Sequence, residues 1–119
     1  MYNIPFCFEY YDKECIILEN LYSLTYRDEN FFSIALADEN HPVFKAHFPS
    51  HPILPGFILL DITATILNVE VISIIKTKFL LPIEPNSILD FYIKKKDNII
   101  KIIVKNNEQK VADIAYEKR

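Results

Sequence analysis

The chain has 119 residues and a mass of 14.0 kDa, room for one ordinary domain of ~100–150 residues and too little for two. With 50% hydrophobic and 24% charged residues, it lies outside the polar, highly charged composition of disordered chains. A formal net charge of −3, with Arg27 and Arg119 the only arginines, argues against nucleic acid as a partner.

Met1-Tyr2-Asn3-Ile4-Pro5 places no cationic residue ahead of an apolar run, so no targeting segment is read there and a cytoplasmic location is expected. Residues 7–19 and 21–26 mix aromatic and β-branched residues with charges and suit strand or short helix alike. Cys7 and Cys15 have neither CxxC spacing nor a nearby histidine, so they read as ordinary thiols rather than a disulfide framework or zinc site. Phe31 to Ala37 reads as a buried strand closed by the polar turn Asp38-Glu39-Asn40. From His41 to Gly56, Pro42, Pro49, Pro52 and Pro55 argue for a stiff extended loop without regular helix.

Residues 57–73 form the one helix-length apolar run, and Pro55-Gly56 supplies its start. Asp61, Asn68 and Glu70 interrupt it, so it reads as a buried helix and not as a bilayer span of ~20 apolar residues. Lys76 to Leu81 alternates loosely, and Pro82 to Pro85 turns. Ile88–Lys95, Ile99–Lys105 and Val111–Tyr116 read as strands joined at Asp97-Asn98 and at Asn106-Asn107-Glu108. The sum is an α+β domain over residues 1–119, with one long helix and five or six strands. One helix cannot cover both faces of such a sheet, so a homodimer that extends or packs it is expected, with higher assembly left open.

At 100° per residue, Asp61, Thr65 and Asn68 fall on one side of the helix, opposite Thr63 and Glu70. A carboxyl buried one turn inside a helix is costly unless paired, solvated or protonated, and desolvation raises its pKa toward the range of a general acid. An acid that merely complements the helix dipole is the alternative. Gly56 is the sole glycine, which suits either a close approach of another group to the backbone or a turn of positive φ. His41, His47 and His51 share the proline-rich loop, but Pro49 and Pro52 exclude a helical ligand pair, so no metal is expected. His47 lies fourteen residues before Asp61 across a rigid turn, which would bring a base and an acid to one cleft.

The string Phe44-Lys45-Ala46-His47-Phe48-Pro49-Ser50-His51-Pro52-Ile53-Leu54-Pro55-Gly56-Phe57-Ile58-Leu59-Leu60-Asp61 resembles the signature of the 3-hydroxyacyl-(acyl carrier protein) dehydratases, in which a Gly-His-Phe-Pro loop precedes Pro-Gly and a helix bearing Glu or Asp. The resemblance is clearest over residues 30–116. It implies a hotdog fold, an antiparallel sheet wrapped around one long central helix, and no cofactor. It further implies that His47 takes the α-proton, that Asp61 protonates the departing 3-hydroxyl, and that Gly56 and the Phe57 N–H receive the thioester carbonyl, with Phe48, Pro55 and Thr65 beside the substrate. His47 of one subunit would face Asp61 of the other. Acyl carrier protein or an acyl-CoA thioester is the implied partner, with Lys76, Lys78 and Lys94-Lys95-Lys96 forming a basic rim or simply solvated strand lysines. Ala46 and Ser50 stand where the family usually has glycine, and Thr65 replaces a frequent glutamine; the acid and base are intact. Two alternatives stay open: a hotdog thioesterase, and a non-catalytic acyl-binding or partner subunit.

Overall fold

A computed structural model describes residues 18–46 and 50–119 of the chain. Six strands form one antiparallel sheet in the order β1-β2-β4-β5-β6-β3. They are β1 (Tyr22–Arg27), β2 (Phe31–Leu36), β3 (Val71–Phe79), β4 (Ile88–Lys96), β5 (Ile99–Asn106) and β6 (Gln109–Lys118). Two helices, α1 (Pro42–Ala46) and α2 (Phe57–Leu67), separate β2 from β3.

Turn chemistry sets the register in a chain almost without glycine. Asp28 accepts the Asn30 N–H at 2.9 Å and so closes the β1–β2 turn. Asn107 and Glu108, both at positive φ, form a two-residue turn between the paired residues Asn106 and Gln109, a geometry that matches the strand twist of a hairpin. The strands expected over Phe31–Ala37, Ile88–Lys95, Ile99–Lys105 and Val111–Tyr116 are present within a few residues. Alternation explains them: in β4, Leu89, Phe91 and Ile93 point inward, whereas Tyr92 and Lys94 point outward. Phe32 and Phe91 stack at 4.4 Å in the core, on the inner face that α2 covers.

Two expectations are corrected. The proline-rich loop does hold a short helix, α1, because Pro42 occupies the first turn, where its missing N–H costs no hydrogen bond. His41 caps that helix: its Nδ1 accepts the Val43 N–H at 3.1 Å, and its Nε2 donates to the Glu19 carbonyl at 2.8 Å. The second correction concerns the central helix, which is short rather than long. It ends at Leu67 instead of running to residue 73, because Asn68 turns left-handed (φ 55°, ψ 52°). The Asn68 and Val69 N–H groups bond back to the Thr65 and Ala64 carbonyls. The β-branched residues Val71 and Ile72 then begin β3.

β3 pairs with β6 alone and forms one edge of the sheet. Ile74, Ile75 and Phe79 on this edge are exposed, Ile75 at 56%, and so are Leu80 and Leu81 just beyond it. β3 thus leaves an apolar strand edge exposed.

Candidate active site

α2 is apolar nearly all round, with eight of its eleven residues buried, so it packs within the fold and not along one stripe. Asp61 sits in its second turn with 0% exposure. A fully buried carboxyl on a helix whose other buried residues are mostly aliphatic is the most unusual chemical feature of α2, because charge is expensive in such a place. Thr65 and Asn68, expected beside it on one polar stripe, are exposed. The side of the helix that holds Asp61 therefore passes from interior to solvent within about one turn.

At the amino end, Ile58 N–H bonds to the Pro55 carbonyl and Leu59 N–H to Gly56, which winds the first turn directly out of Pro55-Gly56. Gly56 has φ −56° and ψ −38°, ordinary right-handed helix, so the positive-φ reading is overturned. Its need is steric: a Cβ there would lie 2.9 Å from the ring of Phe79. The close approach expected at this glycine comes from the last residue of β3. A cavity of about 320 Å³ adjoins it, lined among others by Leu54, Gly56, Phe79, Leu81 and Ile83. Ile58, Leu59 and Ile62 are packed solidly into the core, not arranged along this recess.

His47, Phe48 and Pro49 lie outside the described residues, as do Cys7 and Cys15. α1 ends at Ala46, immediately before His47 in sequence. His51 is exposed, and His41 uses both ring nitrogens in the α1 cap, so neither joins Asp61 in the described interior. Among the described residues no group of three or more His, Cys, Asp or Glu could hold a metal ion.

The sequence reading gives no role to three polar residues that the structure ties into hydrogen bonds: Thr63, Tyr116 and Asp113. Thr63 is buried and donates to the Leu60 carbonyl at 3.0 Å, while the Tyr116 hydroxyl donates to Thr63 Oγ1 at 3.2 Å. Burial pushes the Tyr116 phenol up to about 12. Alternation places Tyr116 inward on β6, which is the signal that could have found it. On the outer face, Asp113 accepts from Lys110 at 2.9 Å and Lys76 at 3.0 Å, and these bonds hold its carboxyl below the usual range. Lys94, Lys95 and Lys96 line an outer-face cavity of about 750 Å³ with Asn30 and Lys101, away from Gly56.

The short helix laid on a six-stranded antiparallel sheet defines a hotdog-fold protein. The chain belongs to the ApeI-like dehydratase family, whose profile matches residues 25–115. It is 30% identical over 74 residues to the 3-hydroxyacyl-[acyl-carrier-protein] dehydratase FabZ of Acidiphilium cryptum, a stretch covering 50% of this chain and 45% of that protein, so the chain matches less than half the length of this relative. The structure resembles the dehydratase heterocomplex ApeI:P from Xenorhabdus doucetiae, with a TM-score of 0.67 and 18% identity over 85% of this chain and 98% of that one. It also resembles the E. coli PaaI protein from the phenylacetic acid degradation operon, with a TM-score of 0.58 and 11% identity over 89% of this chain and 88% of that one. Among the described residues no helix is long and apolar enough to cross a membrane.

Proposed function

We propose that the chain removes water from 3-hydroxyacyl thioesters to give trans-2-enoyl thioesters, with His47 as base and Asp61 as acid. The observation that carries this reading is the complete burial of Asp61 on α2, five residues past the Gly56 turn, in a chain of a dehydratase family. Burial favours the uncharged, proton-bearing carboxyl, the form that must protonate a departing hydroxide. The His47 imidazole takes the C2 proton, and the Gly56 and Phe57 N–H groups at the start of α2 stabilise the charge that builds on the thioester oxygen, a contribution typically of ~3–4 kcal/mol. Phe48, Pro55 and Thr65 flank the substrate, and the recess beside Phe79 receives its acyl part. The acyl group arrives on an acyl carrier protein or on coenzyme A, in fatty-acid or related acyl synthesis.

A second copy completes the site. The exposed apolar edge of β3 pairs with the same strand of a partner, which covers Ile74 and Ile75 and sets His47 of one subunit against Asp61 of the other. One observation favours a second reading, in which a different hotdog subunit takes the place of the chain's own copy: the similar ApeI protein is described in a heterocomplex. Incubation of the purified chain with a 3-hydroxyacyl thioester tests the reaction. A rise in enoyl absorbance without free thiol is expected; thiol release would make it a thioesterase. Turnover that appears only after a second hotdog subunit is added would assign it the partner role.

A further inference from the structure

Thr63 follows Asp61 by two residues, which at 100° per residue turns it about 200° around α2, to the opposite side of the helix. Both residues have 0% exposure. The single hydroxyl proton of Thr63 goes to the Leu60 carbonyl, an acceptor only, at 3.0 Å. Its oxygen must then accept the Tyr116 proton across 3.2 Å. The order is one-way: phenol on β6, hydroxyl on α2, and the carbonyl of the peptide that joins Leu60 to Asp61. Tyr116 is itself fixed, since it pairs with Ile100 on β5 and with Ile74 on β3.

We infer that Tyr116 and Thr63 are positioning residues that set the rotation of α2 about its own axis and thereby aim the Asp61 carboxyl on the far side. The apolar contacts of Ile58, Leu59, Ile62 and Ile66 resist separation of helix from sheet, but they are non-directional. Hydrogen bonds are directional, and this pair acts where a small helix rotation would swing Asp61. Stability alone does not call for the two hydroxyls, because an apolar pair of the same shape is nearly neutral in such a place. Neither residue touches substrate, and the inference rests on the reading of Asp61 as the acid.

The test compares Thr63→Val, Tyr116→Phe, the double variant and Thr63→Ser by two readouts. The first is the titration of the Asp61 carboxyl carbon by NMR, assigned with Asp61→Asn. Its midpoint should move by about half a pH unit or more in Thr63→Val and in Tyr116→Phe, and Thr63→Ser should restore it. The second is hydration of a trans-2-enoyl thioester, in which kcat should fall about tenfold in either variant with KM nearly constant, and no further in the double variant. A midpoint unmoved in both single variants overturns the inference, whether or not the wild type turns over. A moved midpoint in a wild type without turnover keeps the latch and removes the catalytic reading of Asp61. Should Thr63→Val fail to fold, Tyr116→Phe, which deletes one oxygen atom, carries the same test.

Discussion

Two aspartates on opposite sides of the fold are held in opposite ways. Asp113 lies on the outer face of the sheet, where Lys76 and Lys110 donate to it and hold it ionised. Asp61 is fully buried on α2, on a helix whose other buried residues are mostly aliphatic. An acid kept charged at the surface can join strands but has no proton to give near neutral pH. A buried acid can retain its proton, and retention is what an elimination needs. The environment, more than residue type, separates an acid that ties strands together from one suited to the proposed chemistry.

The largest way to break this contrast is through the chemistry on the α2 side. His47→Ala should lower the rate of enoyl thioester hydration by about 10²–10⁴, with the melting temperature nearly unchanged, as steady-state assays and calorimetry would show. Next in size is the packing of the core. Phe91→Ala should remove ~3–5 kcal/mol of stability, read by urea denaturation, because it opens a cavity beside the stacked Phe32.

Tyr116 sharpens the contrast at high pH. Its phenol is raised from the ordinary 10.0 to about 12, so its contribution is complete below pH 10 and is lost as pH rises toward the folded value. The loss should reach about 2–3 kcal/mol over that interval, and Tyr116→Phe should flatten the slope. Tyr22, also raised by burial, leaves a residual slope. The smallest effect belongs to the outer acid. Its folded pKa lies below the ordinary 3.8, so its contribution is present above that value and fades as pH falls through the folded one. Asp113→Asn should cost less than about 1 kcal/mol, shrink further in salt, and leave turnover intact, since its lysine partners are half-exposed.

The sequence makes the β4–β5–β6 half of the fold legible because its inward and outward residues alternate and its turns fall at Asp97-Asn98 and Asn107-Glu108. It also marks Asp61 and the start of α2 at Pro55-Gly56. The end of α2 is hidden, since the apolar stretch from Val69 to Ile75 suits helix and strand equally and only the left-handed Asn68 separates them. α1 is hidden behind a proline count that ignores position. Gly56 draws attention for a sound reason, but the group that approaches it, Phe79, lies on β3, and no local pattern predicts such a tertiary contact. Thr63 is placed on the correct side of the helix but given no role, because its partner Tyr116 lies on β6, far away in sequence.

The proposed role of Asp61 as the proton donor is the centre of the account, and Asp61→Asn tests it most directly. The substitution keeps the shape of the side chain and removes the exchangeable acid. Measured beside the wild type with a trans-2-enoyl thioester, at matched melting temperatures, it should hydrate the double bond about 10²–10⁴ times more slowly. An Asp61→Asn protein that hydrates the thioester at the wild-type rate would contradict the assignment.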